Sequence, residues 1–168
     1  MFLHVSRAVD LDSLGRACDR FMSYGAYAHG TKHLFSSGVW HKDSVSSVNL
    51  DEVSEDMSHA WYDQPTIPEH PFEGTTVADT SQAAAYSWCK APRLAGAVVE
   101  VGAIARQVVS GHPLIRDLVR SGGGNVHSRV VARVLEIALV TVAMERWVRN
   151  INPRSEERRV GKECVRLC

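Results

Sequence analysis

The stretch "AYSWCKAPRLAGAVVEVGAIARQVVSGHP", Ala85 to Pro113, changes character along its length. Ser81 to Trp88 predicts a brief helical turn, and Ala91-Pro92 ends it, because the residue before a proline is pushed away from helix. The following "VVEVGAIARQVVSG" opens like a strand and closes like a helix ahead of Gly111 and Pro113. Cys89 sits between Trp88 and Lys90, with Arg93 four residues on. It has three readings: a nucleophile whose pKa Lys90 and Arg93 lower, a metal ligand, or a small buried hydrophobe. No local cysteine-protease signature surrounds it.

Downstream, "HPLIRDLVR" predicts a short helix stopped by Gly122-Gly123-Gly124. Asn125 then caps the strongest element, Val126 to about Asn150, which Asn150 and Pro153 end. Its apolar stripe (Val130, Val131, Val134, Leu135, Ala138, Val142, Trp147) is broad and asks for neighbours on more than one side, as in the centre of a helix bundle. "SGGGN" ahead of that helix resembles a phosphate cradle, since exposed amides at a helix start attract anions. No Gly-Lys-Ser/Thr follows and no clear strand precedes, so a flexible turn between helices is the better reading.

Upstream, Asp10 to Phe21 spaces Leu11, Leu14, Ala17, Cys18 and Phe21 as an amphipathic helix, with Cys18 on its buried stripe. "HLFSSGVW", His33 to Trp40, reads as two short strands around a turn. Asp51 to Tyr62 predicts a helix with acids in its first turn, where the helix dipole favours them. Pro65, Pro68 and Pro71 force an extended path through Gly74. His29 and His33, with His41 nearby, have a spacing that suits zinc, but they lie in a glycine-broken segment with no carboxylate or cysteine to complete the set. They read as loop or surface histidines.

Composition bounds the classes. A chain of 168 residues with 45% hydrophobic content supports one core. Nineteen basic residues balance nineteen acidic ones, which gives no electrostatic reason to expect nucleic acid or an anionic membrane. The start lacks a secretion pattern, and the longest apolar run, from Ile137, is broken by Thr141 and Glu145, so no transmembrane segment is expected. Cys18, Cys89, Cys164 and Cys168 form no CxxC pair, which argues against a disulfide framework or zinc site and fits a reducing compartment.

The order of motifs is more specific than any one of them. "RFMSYGAY", "LFSSGVW", "VSEDMSHAWY", "HPFEGTT" and then the Ala85–Pro113 stretch together resemble the middle of a nickel–iron hydrogenase large subunit, over about residues 8–153. Tyr86-Ser87-Trp88, Lys90-Ala91-Pro92-Arg93, Glu100-Val101-Gly102 and Ala105-Arg106 carry most of the likeness. The resemblance implies a mainly α fold, a fragment of a large-subunit helix bundle with a small β-rich N-terminal portion. It also implies reversible splitting of H2 into a proton and a hydride in the intact enzyme. That enzyme holds a Ni-Fe centre on two CxxC pairs and passes electrons to an iron–sulfur small subunit. Neither pair is present here, so no catalytic or metal residue is carried over, and the chain alone is expected to be inactive. Within the family pattern Cys89 becomes a packing residue. Lys90 and Arg93 become structural ion pairs or backbone contacts. His70, Tyr86, Trp88, Glu100 and Arg106 are further supporting candidates. Ala91-Pro92-Arg93 belongs to this motif and not to the later Ala-Pro-Arg over the metal. Localisation stays open between cytoplasm and attachment to a membrane through a partner.

"RSEERRVGKEC", Arg154 to Cys164, departs from that pattern and resembles a translated sequencing adapter. Residues 1–153 are therefore expected to form a partial domain and 154–168 a non-native tail, with Met1 internal to a longer gene. Three rivals stand beside this reading: a quinone-site subunit of the respiratory complex I type, a small thiol hydrolase using Cys89, and a non-catalytic interaction domain using an exposed helix face.

Overall fold

The computed structural model describes residues 5, 8–16, 18–29, 31–63 and 67–151. The chain divides into two compact units, residues 1–133 and 134–168. The tail from Arg154 lies outside the described residues.

In the first unit, β1 (Arg20–His29) and β2 (Lys32–His41) form a long antiparallel hairpin, and β3 (Ser44–Ser46) adds to β2. Lys42 and Asp43 both take positive φ, 48° and 66°, as a tight two-residue hairpin link requires. A second antiparallel sheet joins β4 (Val53–Asp56), β5 (Ala91–Leu94) and β6 (Ala97–Val98) in that order. Successive strand side chains point to opposite faces. The pair Met22–Val39 therefore faces one way and joins Val53, Leu94 and Val99 in an apolar cluster shared by the two sheets. Phe21–Trp40 faces the other way, with ring centroids 5.6 Å apart edge to face.

Helix α1 (Ala103–Val109) packs on β1 and β2 and buries Ile104, Ala105, Val108 and Val109. Helix α2 (Pro113–Gly122) starts with proline, whose missing N–H costs nothing there, and buries Ile115 and Val119. Helix α3 runs Val126–Asn150. Asn125 caps it as expected: its Oδ1 accepts from the Ser128 N–H at 2.8 Å, while its own N–H donates to Ser128 Oγ at 2.9 Å.

Several expectations are overturned. The described part of Asp10 to Phe21 is turns and extended chain, with Asp10 at φ 58° and Gly15 at φ 65°. Its carbonyls serve another element: Leu14 O accepts from the Val126 N–H at 3.0 Å and Leu11 O from the His127 N–H at 3.3 Å, capping α3. Cys18 is half-buried, and its thiol donates to Arg20 O at 3.5 Å. "HLFSSGVW" is one continuous strand. Gly38 lies inside it because an added Cβ would meet Ser46 O at 2.9 Å. Asp51 to Tyr62 holds a short 3-10 turn (Leu50–Glu52) followed by β4, since pairing with β5 outweighs the helical bias of its acids.

Gly123 and Gly124 are buried, so "SGGGN" is a packed turn and not a flexible one. A Cβ on Gly124 would lie 2.7 Å from Glu100 Oε2 and 3.2 Å from the Phe21 ring; one on Gly123 would lie 2.9 Å from Asp19 Oδ1. Two carboxylates beside this turn also oppose an anion there. The weight expected on helices is shared with strands, giving a mixed α/β architecture. In the second unit, the far part of α3 leaves Val134, Ile137, Val142, Met144 and Val148 exposed, an apolar face without the neighbours that its broad stripe asks for.

Candidate functional site

The Tyr86–Arg93 run gathers on the sheet of β4 and β5, held by residues that lie some thirty positions upstream. Register sets Glu55 opposite Pro92 and Asp56 opposite Ala91. Lys90 Nζ then reaches Glu55 Oε2 at 2.8 Å and Arg93 NH2 reaches Asp56 Oδ2 at 2.7 Å. These side chains are 20–30% exposed, so the pairs are less screened than surface ones. Lys90 Nζ also lies 6.0 Å from the centroid of the Tyr62 ring. Asp56 accepts the Ser58 N–H at 2.9 Å. That bond foremost, with Arg93 as a smaller cause, holds the Asp56 carboxyl below the ordinary carboxylate range against the opposing effect of burial. Burial, helped by the negative charge of Glu55, raises the Tyr24 phenol.

The aromatic part is a set of rings. Trp88 packs on Trp61 and Tyr62 at centroid distances of 5.2 and 5.6 Å, and its carbonyl accepts from the Tyr62 hydroxyl at 3.0 Å. Tyr86 stacks on His59 at 5.4 Å, and the Tyr86 N–H donates to His59 O at 3.1 Å. Trp61 N–H donates to Ser87 O at 3.0 Å. A cleft of about 260 Å³ is lined by His59, Tyr86, Cys89, Lys90 and Arg93, among others. Cys89 is exposed there, its N–H bonded to Ser87 Oγ at 2.9 Å. Cys89, expected as a packing residue of its motif, is exposed in this chain.

The other candidates lie apart from this cluster. Phe72 N–H donates to His70 Nδ1 at 3.2 Å, so Nε2 carries the proton shared with Leu50 O at 3.2 Å. His70 thus ties the proline-rich loop to the start of the 3-10 turn. Glu100 bonds through its backbone to β1 on both sides: Met22 N–H donates to Glu100 O and Glu100 N–H to Arg20 O, each at 2.8 Å. Its carboxylate takes Arg129 in a two-point contact, Nε–Oε1 2.5 Å and NH2–Oε2 3.1 Å, which raises the Arg129 guanidinium. Arg106 is half-buried on α1. Sequence reasoning missed Arg129, Glu55, Asp56 and Tyr62. The acid pair 55–56, lying ahead of Lys90 and Arg93, was the available signal.

His29 ends β1 opposite Lys32, one register step from His33 on β2, whereas His41 stands eight residues from His33 along β2, about 26 Å at strand rise and too far to share an ion with it. Among the described residues no three His, Cys, Asp or Glu side chains gather as metal ligands do. Among them, too, no helix is long and apolar enough to cross a membrane.

A family model for nickel-dependent hydrogenase matches residues 3–163. The hydrogenase-1 large chain of Escherichia coli is 32% identical over 120 residues, which take in 54% of this chain and 20% of that protein. The uptake hydrogenase large subunit of Bradyrhizobium diazoefficiens is 35% identical over 83 residues, 39% of this chain and 14% of that one. The chain thus spans about a fifth or less of the length of these curated relatives. In three dimensions, the Ni-Fe-Se hydrogenase of Desulfovibrio vulgaris Hildenborough matches with a TM-score of 0.66 at 27% identity, covering 90% of this chain and 36% of that one. Matched along nearly its whole length in sequence pattern and in fold, the chain belongs to the nickel-dependent hydrogenase family.

Proposed function

We propose that this chain is a central segment of the large subunit of a nickel–iron hydrogenase whose intact form splits H2 reversibly into a proton and a hydride. The family match across residues 3–163 carries the reading. The Ni-Fe centre would supply the redox and hydride chemistry, and an iron–sulfur small subunit would take the electrons.

The described residues do not fit that centre. Their two cysteines are Cys18, whose thiol is turned to a backbone carbonyl just before β1, and Cys89, which is exposed just before β5. A nickel site needs several thiolates converging on one ion, so no step of the reaction is assigned to this segment. Its contribution is scaffolding. The Lys90–Glu55 and Arg93–Asp56 pairs lock β4 to β5, and Glu100 with Arg129 locks β1 to the start of α3.

The test is to recover the coding sequence on both sides of this segment and express the extended protein with an iron–sulfur partner. The expected result is one CxxC pair on each side, chelator-resistant nickel and H2-dependent dye reduction. The isolated 168-residue chain should show neither property. Flanks without CxxC pairs, or stoichiometric nickel in the isolated chain that disappears in Cys89→Ser, would overturn the proposal.

A further inference from the structure

We draw no further inference here: the strongest candidate, the exposed apolar face on the far half of α3 formed by Val134, Ile137, Met144, Val148 and the following Ile151, carries nothing because nothing in the structure shows what covers it.

Discussion

Glu100 and Arg129 meet through both carboxylate oxygens, with only 11% and 23% of their side chains exposed. Arg129 also donates to the carbonyls of Gly15 and Gly124, so one guanidinium joins three separate stretches of chain. Removing it leaves a largely buried carboxylate without its cation. Arg129→Ala should therefore cost about 3 kcal/mol, read as a lower urea midpoint. The double variant with Glu100→Ala should lose less than the sum of the two single changes. Additive losses would mean that the pair is not coupled.

Gly124 and Gly96 give a contrast between crowding and strain. An alanine Cβ at Gly124 would meet Glu100 and the Phe21 ring, whereas at Gly96, with φ 74°, nothing lies within 4 Å. Gly124→Ala should cost about 2–3 kcal/mol by overpacking, against roughly 1 kcal/mol for the left-handed backbone at Gly96→Ala. Thermal melts of the two variants test the order. Equal shifts would show that the turn at Gly124 yields freely.

Asp56 sets an acid-side dependence. Its carboxyl is lowered in the folded chain. It therefore adds stability above its unfolded value of about 3.9 and loses that contribution as pH falls through the folded value. Asp56→Asn should be less stable than the parent at neutral pH, and the gap should shrink once pH drops below about 4. Urea midpoints at several pH values read this directly. A gap of constant size from neutral to acid would contradict it.

Cys89 should react with a thiol reagent in the folded protein, ahead of half-buried Cys18. With Cys164 and Cys168 replaced by serine, peptide mass spectrometry can separate the two sites. Labelling of Cys89 only after denaturation would restore the packing role that its motif implied.

Residues 154–168 are proposed to add nothing to the fold. Deleting them should leave the melting temperature unchanged within error. A clear drop would make them part of the native protein.

The sequence disclosed what local pattern encodes. α2 and α3 were legible from periodicity and from Asn125, whose cap lies within three residues of its partner. The strand-to-helix change after Val98 was legible for the same reason. Three other segments were misread because distant partners decide them. Residues 11–14 give their carbonyls to α3, residues 53–56 pair with β5, and Gly38 is packed against β3 when its type alone suggested a turn. The site was legible in one half only. Tyr86, Trp88, Lys90 and Arg93 announced themselves as a motif, but no pattern within ten residues of them points to Glu55, Asp56 or Tyr62.

The carbonyls of Leu11, Leu14 and Gly15 are bonded to Val126, His127 and Arg129, a sequence separation of 114 between Gly15 and Arg129. Bringing such remote positions together carries a loop-closure entropy that local helix formation escapes, and folding slows as mean separation grows. On a ribosome adding about 5–20 residues per second, the early carbonyls wait roughly 6–23 s for the donors that use them. Until Arg129 emerges, the Glu100 carboxylate has no guanidinium to meet. The clasp between Gly15 and Arg129 therefore closes only after both stretches have been made, and the hairpin of β1 and β2 must persist unclosed until then.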